Sequence, residues 1–582
     1  MMASITLETR PLISLTYWML SGIIILVRGM LDFPDENDPL PVSNSVEGVY
    51  KSAAVVTNTE PCSAIGRRIL EKGGSAVDAV IASLLCEGLT GMQNMGIGGG
   101  VFMTIYQKET GKAFALDARE SAPLAADKNM YSGDPDLAST GCLSVAVPGE
   151  LMGYWEAHKR FGKLPWKDLF EPAINMCLDG VPVNHRLAKA FSDSGMARLI
   201  NRSPTLRNLL APNGNLPKVG DKLRMPSLAK TFIEVANCPD GAMALYNGVL
   251  TEKFVHDLKS LGAIITKQDL IKYQARWLPP IVNHLKGGYT LYTMPPPGSG
   301  IVLSLILTIL ENQLNQDPKP NLYNIIRIVE SFKYAYGFRT ELGDPQYMDL
   351  SKVMTQMTSE DYIKDVRRKV GMVSRTNNNC TKYGGRYFVP NDNGTINVVV
   401  LAPNGDAVCA TSTINTLFGS LLASSSTGII LNNEMDDFCA PEIVNSFGLP
   451  PSPSNFIAGG KRPLSSSCPS VIVGPNKEAR LVVGAAGGTH ITSATAQVII
   501  NNLWLQQTIK QSVDIPRVHH QLIPMVLKFE YGIPKSVVDG LIKAGHKVKK
   551  QSPHSSVTAI EQRNGGVRAI YDYRRGGSTS GI

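Results

Sequence analysis

With 582 residues, 43% of them apolar and 18% charged, the chain has an ordinary globular composition and length enough for three or four domains. Its net charge of +8 comes from scattered basic residues, with no long Lys/Arg block, which argues against a nucleic-acid partner.

The N-terminus is the first distinctive element. Residues 11–27, PLISLTYWMLSGIIILV, carry no charge and lie between Arg10 and Arg28. Such a run is near the lower limit for a membrane span and also suits the apolar part of a secretory signal. No small-x-small cleavage site follows, and the leading segment carries Glu8 as well as Arg10. The reading is an uncleaved signal anchor over residues 1–33, with a cleaved signal as the alternative, and a polar stalk over 34–46. Either version sends the rest outside the cytosol, as a single-pass type II membrane protein or as a secreted one.

Two helices are predicted next, PCSAIGRRILEK and AVDAVIASLLCEGL, separated by Gly73-Gly74, with Ser75 capping the second. Equal climbs along an antiparallel pair bring Cys62 and Cys86 level, as either a disulfide or two buried thiols. The total of nine cysteines is odd, so at least one thiol is free or paired elsewhere. The glycine run from Gly96 to Gly100 follows a helix and opens a strand, the reverse of a dinucleotide loop, so a nucleotide enzyme is disfavoured. A second strand, KAFALDARESAP, carries Arg119 just past its end. Residues 148–370 read as mostly helical, and 371–394 as a mobile, glycine- and asparagine-rich loop or linker. Asn201, Asn379 and Asn393 head possible glycosylation sequons, the first weakened by Pro204.

Beyond the linker the chain turns to strands. Val398 to Leu401 and Ala407 to Ile414 flank Pro403-Asn404-Gly405, the signature of a three-residue hairpin loop. If Ala402 pairs with Asp406, Thr395 falls opposite Thr413, on one face and about 5 Å apart. Two further strands, PSVIVG and EARLVVGAA, and a helix after Gly487-Gly488 complete a layered α+β pattern.

There is no HExxH, Walker loop, GxSxG elbow or Cys/His cluster of metal spacing, and His519-His520 reads as structural or surface. The chemistry therefore rests on the threonine hairpin. A threonine hydroxyl needs an adjoining base, and an N-terminal threonine carries its own in the α-amine. Here that amine would exist only after cleavage of Gly394-Thr395. Gly487-Gly488 at a helix start can offer N–H groups to an oxyanion. Glu434, Asp436 and Asp437 suit an ammonium, while Ser465, Ser466 and Arg119 suit a carboxylate. Together they describe a pocket for a zwitterionic amino-acid head.

CSAIGRRILEKGGSAVDA, MGIGGGVF, LDARESAP, TSTINTLFGS, LNNEMDDF, FGLPPSPSNFI, KRPLSSSCPS and VVGAAGGTHIT resemble the γ-glutamyltransferases (γ-glutamyl transpeptidases, glutathione hydrolases) of the eukaryotic branch. The resemblance implies a four-layer αββα N-terminal-nucleophile hydrolase fold, autocleaved into a large subunit, 47–394, and a small subunit, 395–582, that stay together as a heterodimer. It implies Thr395 as nucleophile and Thr413 as its hydrogen-bonding partner. Arg119, Ser465 and Ser466 would hold the α-carboxylate, Asn415, Glu434 and Asp437 the α-amine, and Gly487 and Gly488 would form the oxyanion hole. A Cys62–Cys86 disulfide is implied too. The γ-glutamyl group of glutathione would pass to Thr395, then to water or to an amino-acid or dipeptide acceptor, without cofactor or metal. Asn397 departs from the family's usual histidine, and Leu417 from a frequent aromatic. With a glycan at Asn393, Asn397 motivates the alternative of a catalytically weak extracellular binding protein.

Overall fold

A computed structural model describes residues 43–390, 394–443, 449–563 and 565–582. The apolar run 11–27, most of the stalk and Asn393 lie outside these. Among the described residues, no helix is long and apolar enough to cross a membrane.

Two seven-stranded sheets stack face to face. In chain order the strands are β1 (Gly48–Tyr50), β2 (Ala54–Thr57), β3 (Gly100–Gln107), β4 (Lys112–Ala118), β5 (Arg276–Leu278), β6 (Ile281–Leu285) and β7 (Tyr289–Thr293). They continue with β8 (Ile396–Leu401), β9 (Ala407–Thr413), β10 (Ser470–Val473), β11 (Ala479–Ala486), β12 (Ser556–Arg563), β13 (Gly566–Tyr571) and β14 (Ser578–Gly581). One sheet runs β14-β2-β8-β9-β3-β4-β5, and the other β1-β13-β12-β11-β10-β7-β6. Val56, Val399, Leu401, Val471, Val482 and Ile560 fill the space between them. The opposite pleat of the first sheet, with Val55, Val398 and Val400, packs on helices α1 (Glu60–Glu71), α2 (Ala76–Thr90) and α3 (Glu150–Phe161). The outer face of the second, with Ile472, Leu481 and Val483, packs on α5 (Gly300–Leu310) and α7 (His490–Ile499), with α6 (Leu322–Arg339) packed against α5 in the same core, α4 being His185–Ser192 on the other side of the molecule. Period-two alternation, with both pleats apolar, is what a strand buried on both faces requires. The result is the expected αββα sandwich.

The helix pair forms as its sequence indicates. Ser75 Oγ accepts from Asp78 N at 3.0 Å, and Ser75 N donates to the Asp78 carboxylate at 2.8 Å, a capping box that restarts the chain after the turn. Cys62 and Cys86 form a disulfide with Cα atoms 5.3 Å apart. The glycine run has a packing reason. A Cβ on Gly98 would sit 2.0 Å from Ile430 O, and one on Gly99 2.0 Å from Thr413 O, so these glycines let the chain press against the segment at Ile430 and against the end of the hairpin.

One expectation is incomplete and another needs correction. The stretch 148–370 is mostly helical, as read, but it also carries β5, β6 and β7, of which β5 and β6 are the edges of the two sheets. Pro279-Pro280 and the brevity of these strands hid them. The stretch read as a mobile linker is tied down over Thr376 to Tyr383. The buried ammonium of Lys333 donates to Thr376 Oγ1, to Asn377 O at 2.9 Å and to Tyr383 Oη at 2.8 Å, while Tyr383 Oη donates to Glu330 at 2.7 Å. A polar segment without apolar periodicity is thus ordered by one buried charge. His519 and His520 are buried, and the His519 ring stacks on His490 at 3.7 Å.

Candidate active site

The hairpin sets the site. β8 and β9 pair with Ile396 opposite Ser412 and Leu401 opposite Ala407, and Ala402 N donates to Asp406 O at 2.9 Å, the register read from the turn. Thr395 and Thr413 therefore meet at the strand ends, on the pleat that faces the other sheet. Thr395 Oγ1 donates to the carbonyl of Gly394, the residue before it. Thr413 Oγ1 donates to the same carbonyl at 3.0 Å, and Asn415 N donates to Thr413 Oγ1 at 2.8 Å. An amide proton on its oxygen leaves the Thr413 hydroxyl free to act as donor. Two hydroxyls thus converge on one carbonyl. Gly394 has φ +38°, and a Cβ there would lie 2.2 Å from Asn415 O, so only glycine fits.

Asn415 carries the network onward. Its Nδ2 donates to Asn433 O at 3.1 Å, the residue before the acidic turn Glu434–Asp437. This turn is not solvated. Glu434 and Asp437 are buried and both pair with Arg119, which is 2% exposed. Asp436 is half-buried and accepts from Asn415; burial pushes its carboxyl up to about 6. Arg119 Nε and Nη2 also donate to Pro463 O and Leu464 O, each at 3.4 Å, which brings the guanidinium beside Ser465. Asn455 joins the two walls, donating to Asp437 O at 2.7 Å and accepting from Leu464 N at 3.0 Å. Ser465 Oγ accepts from Ser467 N at 3.2 Å, and Ser466 Oγ from Arg339 Nη2 at 2.8 Å.

Gly487 and Gly488, with φ +126° and +60°, form the bend between β11 and α7. Arg575 links this bend to the hairpin. It donates to Thr395 O at 3.0 Å and to His554 O at 3.3 Å, and a Cβ on Gly487 would meet that His554 oxygen at 2.7 Å.

The electrostatics explain the crowding of charge. Burial opposes the Arg119 cation, but Glu434, Asp437 and Glu120 outweigh it and hold the guanidinium protonated. Burial pushes Glu434 well above the carboxylate range, against the pull of Arg119, and pushes Glu120 up to about 7. Glu434 and Glu120 are thus pushed toward their neutral forms beside a guanidinium that stays charged. Sequence reasoning left out Glu120, although it sits next to Arg119 in LDARESAP, and also Arg339, Asn455 and Arg575, whose roles come from distant contacts. Asn397 is buried and engaged elsewhere: it donates to Thr558 Oγ1 at 2.7 Å and accepts from Thr411 Oγ1 at 2.8 Å, joining the two sheets. Leu417 is 39% exposed in the loop after β9.

The sequon positions are solvent-facing where described. Asn201 is exposed at a helix end, with Ser203 Oγ capping the next helix, and Asn379 is exposed with its Oδ1 accepting from Thr381 N at 3.0 Å.

A family model described as Gamma-glutamyltranspeptidase matches residues 62–582. The chain belongs to the γ-glutamyltranspeptidase family. It is 42% identical to Scoloptoxin SSD14 of Scolopendra dehaani over 93% of this chain and 94% of that protein. It is 36% identical to Glutathione hydrolase 5 proenzyme of Mus musculus over 96% of this chain and 97% of that one. The fold is that of cephalosporin acylase from Bacillus halodurans, at TM-score 0.80 and 22% identity over 95% of this chain and 99% of that chain. In this γ-glutamyltranspeptidase chain the quoted motifs run from CSAIGRRILEKGGSAVDA to VVGAAGGTHIT, all inside the matched residues.

Proposed function

We propose that Thr395 is the nucleophile of an autoprocessing γ-glutamyltransferase and glutathione hydrolase. The observation that carries this reading is the Thr395 hydroxyl lying against the Gly394 carbonyl, while the chain Asn415 N–H to Thr413 O–H polarises the same carbonyl. Thr395 Oγ adds to the Gly394 carbonyl carbon, the Gly394–Thr395 C–N bond breaks, and the departing nitrogen takes up the hydroxyl proton. Water then hydrolyses the ester, leaving a large subunit ending at Gly394 and a small subunit beginning at Thr395. The new α-amine serves as the base for later turnovers.

In turnover, the donor's α-carboxylate pairs with Arg119 and accepts from Ser465 and Ser466, while its α-ammonium faces Glu434, Asp437 and Asn415. This exchanges the internal Arg119 pairs for pairs with the zwitterion, so buried charge stays compensated. The γ-carbonyl then meets Thr395 Oγ, and the amides of Gly487 and Gly488 receive the developing oxyanion. Cysteinylglycine leaves, and water or an amino-acid or dipeptide amine attacks the ester. This chemistry calls for neither cofactor nor metal. The membrane-anchored or secreted location, from the run at 11–27, and glycosylation at Asn201, Asn379 and Asn393 are part of the same reading.

N-terminal sequencing of the purified protein tests it. The expected small subunit begins at Thr395, and Thr395→Ala yields an intact chain that releases no γ-glutamyl product. An active enzyme whose chain is never cut would overturn the proposal.

A further inference from the structure

A second cavity adjoins the nucleophile strand on the side away from the second sheet. It has a volume of about 460 Å³ and opens between the end of β2, the C-terminal half of α2 and the start of α4, with Ile396 of β8 in its wall. That size is within the usual range for small-ligand sites, roughly 300–1,000 Å³. Its walls are unusual in their unused polar groups. Both amide atoms of Asn58 lack a partner among the described residues, although the residue is only 7% exposed. The same holds for Gln93 Oε1, at 3% exposure, and for Asn94 Nδ2, at 2%.

Glu87 is the charged member. It is fully buried, and its Oε1 accepts from Thr59 N at 2.8 Å and from Thr59 Oγ1 at 3.2 Å, while Oε2 has no partner among the described residues. Burial pushes its carboxyl up to about 7, against the pull of hydrogen bonds from Thr59 and the Asn58 backbone and, more weakly, of Arg186. Arg186 sits in the first turn of α4, half-buried at the cavity rim. Asn184 fixes that turn against the end of α2 by donating to Thr90 O at 2.7 Å.

Unpaired buried polar groups cost free energy unless something satisfies them. Here the acceptors Glu87 Oε2, Asn58 Oδ1 and Gln93 Oε1 match an ammonium or amide N–H. The donors Asn58 Nδ2, Asn94 Nδ2 and Arg186 match a carboxylate. We infer that this cavity is a binding site for a second small zwitterion, a free α-amino acid or dipeptide, with its ammonium at Glu87 and its carboxylate at Arg186. The site is separate from the Arg119 pocket, and it does not depend on the identity of the nucleophile.

It has a direct physical connection to the reacting bond. Asn94 O accepts from Ile414 N at 3.1 Å, and Asn94 Oδ1 lies 3.6 Å from where a Cβ on Gly394 would be. Arg575, which also lines the cavity, holds Thr395 O. A ligand that engages Asn94 therefore bears on the residue packed against the scissile glycine.

Calorimetric titration of the full-length Thr395→Ala chain with glycylglycine tests this without any turnover. In the Arg119→Gln background, which disables the other zwitterion pocket, saturable binding should persist. Adding Arg186→Ala should weaken it at least tenfold. Glu87→Gln should do the same, and Arg186, half-buried at the rim, gives a variant that folds even if Glu87→Gln does not. Binding that vanishes with Arg119→Gln, binding indifferent to Arg186→Ala, or no binding at all would overturn the inference; in the last case the cavity holds only water.

Discussion

At the scale of single residues, the site is a set of buried polar groups whose partners are one another. Thr413 is the clearest case, because Asn415 N–H fixes its hydroxyl as a donor to Gly394 O. Losing one such donor to a developing oxyanion typically costs a factor of about 10²–10³ in rate. Thr413→Val should slow precursor cleavage by about that factor, read as the half-time for the full-length band to disappear on a denaturing gel. Gly394→Ala should stop cleavage, since a methyl group has no room beside Asn415 O and φ +38° strains an L-residue. Glu120 gives a prediction in pH. Its carboxyl, pushed up to about 7 by burial, is ionised above that pH and protonated below it. A charge on Glu120 that assists Glu434 and Asp437 at the donor's ammonium would therefore be present on the alkaline side and lost as pH falls. The donor KM should rise below about pH 7, approaching tenfold per unit for one titrating group, and Glu120→Gln should flatten that limb. A KM profile equally steep in the variant would remove Glu120 from donor recognition. Much of this was legible in the sequence, because LDARESAP, LNNEMDDF and KRPLSSSCPS each keep their polar residues together. What could not be read was that Arg119 pairs with both Glu434 and Asp437, since that depends on two loops more than 300 residues apart.

At the scale of elements, legibility followed local chemistry. Pro403-Asn404-Gly405 fixed the hairpin register because a turn reports on the residues beside it. Ser75, read as a cap, did the same for the start of α2. Edge strands β5 and β6 escaped because short strands interrupted by Pro279-Pro280 carry too little alternation to detect. The Thr376–Tyr383 segment escaped for a different reason: its anchor, Lys333, lies in α6, and no pattern within the segment reveals a partner so distant. Removing one member of a buried ion pair and its hydrogen bonds usually costs about 3–5 kcal/mol. Lys333→Met in the uncut Thr395→Ala chain should lower the midpoint of denaturant unfolding correspondingly. Limited proteolysis of the folded variant should gain a cleavage site between Thr376 and Tyr383. A variant as stable and as protease-resistant as its parent would show that Lys333 does not anchor the segment.

At the scale of the whole molecule, the strand orders matter more than any contact. If the chain is cut at Gly394, one sheet takes β8, β9 and β14 from the C-terminal piece and β2, β3, β4 and β5 from the N-terminal piece. The other takes β10 to β13 from the C-terminal piece and β1, β6 and β7 from the N-terminal one. The two pieces should therefore co-elute in size-exclusion chromatography under native conditions and separate only in denaturant. Separation in buffer alone would contradict the interleaved order. The cut also changes the thermodynamic character of the folded state. Before it, folding is an intramolecular event with no concentration dependence. After it, recovering the same sandwich from unfolded pieces is an association reaction, which bears the loss of translational and rotational freedom, estimated at about 4–15 kcal/mol at 1 M standard state. The mature protein would thus hold a structure that its separated parts do not readily regain. A chain cut in this way would fold as one molecule and afterwards persist by its barrier to unfolding rather than by any easy return, so its working lifetime would be a matter of kinetics.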